Sequence, residues 1–253
     1  ALPIYRTTTL FADGSLGVRQ DTIVAIGAAA ALSVAVSGGT SLAISGAGVG
    51  VRNAIRGGAE ALIAGSNIVK TGDVTVRATG EAGINAVVIA AAAALGFGKT
   101  GVGVALGASV AMNNIGADGD SFRITAEIVD SSLLAADADD TAGQSVTVNA
   151  NNRTQALVTV IAGSAAVAGG QTGVAVSGSG AVGINTVVTD THASITGVGT
   201  ALGERDAIEA ESLSVTAVNN SRIRSFVGAA SLSVAVGQQG IAIAIGASVS
   251  ENR

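Results

Sequence analysis

One alternating pattern occurs four times in this chain, and each copy closes on an asparagine: Asn53, Asn113, Asn185 and Asn252. Thirteen residues before each stands Thr40, Thr100, Thr172 or Gln239, while the copies are spaced 60, 72 and 67 residues apart. A constant core joined by connections of variable length marks stacked modules. Within a copy the period is two, as in a strand whose side chains point alternately to opposite faces. Val24, Ile26, Leu32, Val34 and Val36 alternate with Ala25, Gly27, Ala29, Ala31, Ser33 and Ala35. The last copy repeats this with Phe226, Leu232, Val234 and Val236, then Ile241, Ile243, Ile245 and Val249 beyond the turn. One face is bulky and the other small. An amphipathic helix needs spacings of three and four and tolerates neither this much glycine nor so many β-branched residues.

Composition says what fills the space between such strands. Hydrophobic residues make up 48% of the 253, aromatic residues only 2%, and 36 are glycine, so the core is built from Ala, Val, Ile and Gly. Faces of Ala, Gly and Ser let two sheets come closer than the usual separation of about 10 Å. Each copy continues through a more polar half, with Ala61 to Ser66, Ala126 to Ser131 and His192 to Ile195 as one strand. Asp73 to Ala78, Ser145 to Ala150 and Ser212 to Ala217 form the next. Calling the strands a, b, c and d in order, the loops between c and d absorb the differences in length, as surface insertions do.

These assignments divide the chain into a partial module at 1–20 (a d strand), modules at 21–82, 83–155 and 156–223, and a partial module at 224–253 (strands a and b). Residues 15–18 match residues 212–215, so the array is cut out of phase; with Ala1 where an initiator Met would stand, excision from a longer chain is expected ahead of head-to-tail joining. Residues 1–20 hold no basic stretch followed by an apolar one.

A net charge of −5, with the 13 Lys and Arg spread singly, leaves no basic footprint for nucleic acid. The absence of Cys removes disulfides, zinc-thiolate sites and thiol nucleophiles together. The longest apolar runs, residues 23–32 and 86–97, fall short of the eighteen or so residues a membrane-spanning helix needs.

Three groups of residues invite a chemical reading. Residues 93–100 lie one substitution from a nucleotide-binding Walker loop, with Ala93 in place of the first glycine. An alternating strand follows where that loop requires a helix, and the turns of the other copies have no lysine. Asp190, His192 and Ser194 share one strand face around the only His, whereas triad partners come from separate segments beside an oxyanion site. Asp137, Asp139 and Asp140, with Asp118, Asp120 and Asp130 nearby, supply oxygens suited to calcium but lack its loop signatures. No catalytic residue and no cofactor is assigned. The four in-register asparagines carry a structural expectation: stacked modules would let their amides hydrogen-bond as a ladder. Asn152-Arg-Thr154 and Asn219-Asn-Ser221 match the glycosylation sequon, which chance explains in a chain this rich in Asn and Thr.

The string from Val174 to Asn185, followed by Ala193 to Ile195 and Leu213 to Ala217, resembles the Ala/Val/Gly-rich repeat regions of giant secreted bacterial adhesins. These include filamentous-haemagglutinin-like and leukotoxin-like surface proteins. The resemblance covers nearly all of residues 21–252 and implies an extended, extracellular, β-solenoid-like stalk, with no family site residue to carry over.

The expected fold is therefore all-β, a solenoid-like stack of about four modules of four strands each, strands a and b enclosing a dry interior of small residues. Layered antiparallel hairpins are the alternative, since a turn of about four residues also suits a hairpin. The expected function is structural or adhesive, at a cell surface or in a fibre, with other copies or adjoining repeats as partners. A carbohydrate-active β-helix enzyme and a membrane-inserting toxin segment are the competing readings. The scarcity of aromatics argues against the first, and the short apolar runs make membrane insertion an unfavoured second.

Overall fold

The computed structural model describes residues 4–6, 19–70, 72–116, 121–135, 145–197 and 208–253, and among them there is no helix. The strands in chain order are β1 (Ile4–Arg6), β2 (Arg19–Val36), β3 (Thr40–Ala64), β4 (Asn67–Lys70), β5 (Val74–Phe97), β6 (Thr100–Ile115) and β7 (Phe122–Val129). They continue as β8 (Ser132–Ala135), β9 (Ser145–Gly169), β10 (Thr172–Val187), β11 (Thr189–Thr196), β12 (Ser212–Val236) and β13 (Gln239–Asn252).

Every strand pair is parallel. One sheet runs β2-β5-β9-β12. A second runs β3-β6-β10-β13, is continued from the far end of β3 through β7 to β11, and takes β1 along β3. Strands β4 and β8 pair separately, and a single parallel bridge between Leu133 and Ile208 extends that pairing. The antiparallel-hairpin alternative is thereby corrected. β2 and β3 do not pair; residues 37–39 carry the chain from one sheet to the other, and each strand pairs with its counterpart in the next copy. Local alternation reports which way side chains face, and is silent on which strand lies alongside.

The register follows the repeats residue by residue. Thr40 lies beside Thr100, Thr100 beside Thr172, and Thr172 beside Gln239. Two details differ from the four-strand module. Strand d of one copy and strand a of the next are one continuous strand in β5, β9 and β12, so the boundaries drawn at 82/83, 155/156 and 223/224 fall inside strands. No breaker interrupts the alternation there: around the first of these boundaries Ala78, Ala82 and Ile84 are all buried on one face. The c-to-d connections, expected as plain loops, open with the short paired strands β4 and β8. Residues 15–18, assigned to a d strand, lie outside the described residues.

Small residues face inward and bulky ones outward over the half of β2, β5, β9 and β12 nearest the turns to β3, β6, β10 and β13, and Val88, Val158 and Val160 join the interior further along. Ala43, Ala92, Ala94, Ala105, Ala166 and Ala168 are all buried between the sheets. Backbones approach so closely that a Cβ at Gly107 would lie 2.4 Å from the Gly163 carbonyl oxygen, a distance real Cβ atoms do not reach. Glycine is thus required at Gly107 for space. Towards the c and d segments the interior widens and the residues grow: Ile55, Ile84, Ile115, Ile124, Ile128 and Leu133 form the largest buried cluster. The corner after β3, β7 and β11 is a left-handed turn in each copy, at Gly65 (φ 55°), Asp130 (φ 47°) and Gly197 (φ 68°).

Candidate functional site

The asparagines stand where the alanine-lined half of the interior gives way to the isoleucine-lined half, two residues before Ile55 and Ile115. The Asn53 amide Nδ2 donates to Asn113 Oδ1 at 2.8 Å, Asn113 Nδ2 to Asn185 Oδ1 at 2.9 Å, and Asn185 Nδ2 to Asn252 Oδ1 at 2.8 Å. All four side chains belong to one unbroken line of hydrogen bonds through the copies. Asn53, Asn113 and Asn185 have no exposed surface, while Asn252 is exposed at the end of the stack. In-register parallel strands stand about 4.8 Å apart, and an amide carries separate donor and acceptor atoms with which to continue a line across that gap.

A second, shorter ladder escaped the sequence reading. Asn152 Nδ2 donates to Asn219 Oδ1 at 2.9 Å, and each of these oxygens also accepts from the hydroxyl two residues on, Thr154 at 2.9 Å and Ser221 at 2.8 Å. These are the two sequon matches. Residues i and i+2 share a strand face, so the Asn-x-Ser/Thr spacing serves local hydrogen bonding here, and Asn152 is fully buried. Their shared register, Asn152 beside Asn219, was the signal available from aligning the copies.

The trio Asp190, His192 and Ser194 does sit on one strand, β11, but each member turns to β7. Arg123 Nε lies 3.3 Å from Asp190 Oδ2, His192 Nε2 lies 3.5 Å from Glu127 Oε1, and Ser194 Oγ donates to the same Glu127 oxygen at 3.3 Å. Among the described residues no hydrogen bond or ion pair joins His192 to Asp190 or Ser194, so the geometry is a cross-strand Arg123–Asp190 ion pair and two polar contacts to Glu127 on a groove beside Glu60. Alignment of the copies would have placed Arg123 opposite Asp190 and Glu127 opposite Ser194.

Two backbone N–H groups of the near-Walker turn are committed within the stack, that of Thr100 to the Gly39 carbonyl at 3.2 Å. Gly98 N–H donates to the Gly169 carbonyl at 3.0 Å, and the Lys99 carbonyl accepts from Gln171 at 2.9 Å and Thr172 at 3.0 Å. The turns stack as the strands do, and strand β6 follows where a phosphate-binding loop requires a helix. Asp137, Asp139 and Asp140 lie outside the described residues, as do Asp118 and Asp120. Among the described residues no group of three or more His, Asp or Glu is placed to hold a metal ion.

The outward faces are the remaining feature. Ile26 is 77% exposed, Leu32 69% and Ile245 65%, and similar aliphatics recur along β2, β3, β12 and β13. On the β2-β5-β9-β12 face they flank a shallow apolar trough of about 620 Å³ floored by Ala30, Ala91, Gly163 and Ala230. Monomeric proteins rarely leave contiguous apolar patches this extensive without a partner. Comparison with known proteins finds no match: no family model, curated protein or solved structure is significantly similar to the chain.

Proposed function

We propose that this chain is a structural segment of an extracellular adhesin or fibre, a β-solenoid of about four modules that supplies length, rigidity and self-association. The observation that carries this reading is the line of amide hydrogen bonds from Asn53 to Asn252, which ties every copy to the next at the same point. A stack in which each copy contacts chiefly its neighbours is quasi-one-dimensional and gains stability with each added copy. Such an element suits a stalk. The reading assigns the chain no catalytic residue and no cofactor. Electron microscopy of the isolated protein tests it: rods or fibres are expected, and uniformly globular, monomeric particles would count decisively against it.

The exposed aliphatic rows favour a second reading, insertion into a bilayer through the apolar outer faces. Lipid supplies no partner for unpaired strand edges, which cost several kcal/mol per polar group there, so insertion would require the end strands to be covered first. Release of a trapped dye from liposomes by the purified chain would support this reading over the structural one.

A further inference from the structure

We infer that the two ends of the stack are complementary and that a second copy of this chain docks there head to tail, β12 and β13 of one copy pairing with β2 and β3 of the next. This rests on the reading of the chain as a stack of modules. The register already runs through the molecule and, carried one step further, places Gln239 beside Thr40, Ile241 beside Leu42 and Val236 beside Val36 of the incoming copy.

Four observations select this partner. β2 and β12 are the end strands of their sheet, and β13 ends the other, with every residue except Glu251 exposed. The ladder has a direction: Asn53 Oδ1 is enclosed without a donor, and Asn252 Nδ2, exposed at the other end, has no acceptor among the described residues. A head-to-tail joint brings that donor to that acceptor. A tail-to-tail joint would face two like groups, and reversing every amide swaps the ends without removing the asymmetry. Third, the same register sets Glu251, already engaged by its own Arg253, beside Arg52, opposite charges on one face. Fourth, β1 pairs with β3 only over Ile55 to Gly57, beyond the positions of Thr40 to Asn53 that an incoming β13 would occupy. The docked edge and β1 therefore share the side of β3 and meet only at Ile55, the counterpart of Val187, whose amide bonds the Arg253 carbonyl. Asn53 has no exposed surface in the single chain, so its Oδ1 meets the incoming Asn252 only if that end rearranges.

The chain has no Cys, so introduced thiols report the joint cleanly. Leu42→Cys and Ile241→Cys chains, each purified, are incubated alone and mixed with a short thiol-to-thiol crosslinker. The mixture is expected to give a covalent dimer that neither chain gives alone, and the double variant L42C/I241C a ladder of multimers. No dimer in the mixture after prolonged incubation at high concentration overturns the joint, and a dimer from Ile241→Cys alone overturns its head-to-tail sense. Within one chain, L42C/V102C tests the stack itself, because Leu42 and Val102 are register partners. If that internal crosslink forms and the joint's does not, only the joint is refuted; if the internal one fails, the stacked-module reading fails with it.

Discussion

Replacing Asn113 by Ala is the sharpest test of what holds the copies together. Asn113 makes two ladder bonds, accepting from Asn53 at 2.8 Å and donating to Asn185 at 2.9 Å, and none of these three side chains has exposed surface. Truncation at Cβ leaves the Asn53 Nδ2 donor and the Asn185 Oδ1 acceptor unpaired in a space water does not reach. Each enclosed polar group left without a partner costs about 1–3 kcal/mol, so Asn113→Ala is expected to destabilise by about 4 kcal/mol. Asn252→Ala removes the same side chain from the exposed end and breaks one bond, and water then reaches the Asn185 amide in its place. Its cost is about 1 kcal/mol, the ordinary net worth of one hydrogen bond. Asn53→Ala falls between the two, because it also removes the acceptor that has no donor.

Urea denaturation at low protein concentration measures all three, with the midpoint shift read at constant slope so that the compactness of the end states is known to be unchanged. The expected order of loss is Asn113, then Asn53, then Asn252. Equal losses at Asn113 and Asn252, or a loss below about 1 kcal/mol at Asn113, would refute the claim that the buried ladder is a source of stability.

Five further substitutions, one of them a control, probe the interior, the backbone and the corner. Asn113→Asp puts a carboxyl in an enclosed site, where burial disfavours its charged form and raises its folded pKa above the unfolded value near 4. Folding then binds the proton more tightly than the unfolded chain does, so the variant is most stable relative to wild type at low pH and loses ground as pH rises above about 4. Denaturation midpoints that do not fall from pH 4 to pH 7 would contradict this. Gly107→Ala drives a Cβ towards the Gly163 carbonyl oxygen and is expected to cost about 1–3 kcal/mol in urea. Gly180→Ala on the open outer face meets nothing within 4 Å and serves as the neutral control. At the left-handed corner, Asp130→Gly matches the residue used at Gly65 and Gly197 and is expected to be tolerated. A β-branched Asp130→Val is expected to lower stability by about 1–2 kcal/mol, read from thermal unfolding.

The ladder, the outward bulk and the alanine interior were legible because each repeats at a fixed spacing, and comparing the copies with one another cancels everything local. The pairing of β2 with β5 instead of β3 was not legible, since an alternating strand has the same sequence whether its neighbour arrives by a tight turn or by an arch. Continuity of β5, β9 and β12 was missed for a related reason: the polarity changes near Thr79 and Asn151 while the two-residue period does not, and composition was allowed to overrule period. The corner at Asp130 was hidden because its counterparts are glycines and only the aligned copies show that an aspartate occupies a glycine's conformation.

The same placement of residues explains why an alanine-lined core can persist without large side chains. An ordinary two-sheet core is stabilised by apolar volume, and here much of that volume, Ile26, Leu32, Ile245 and their neighbours, is turned outward. What remains inside the alanine-lined half is close contact between backbones and rows of short side chains, each worth little alone. In that half cohesion therefore comes chiefly along the stack, from the backbone ladders of strands 24 or 25 residues long such as β5, β9 and β12 and from the asparagines at its border. Cohesion along one axis leaves the end strands as the least satisfied part of the molecule, whereas a self-contained globular core would leave no such direction. On the proposed head-to-tail reading, those end strands are where a next copy would dock, and the broad outer faces would be left for contacts of a different kind.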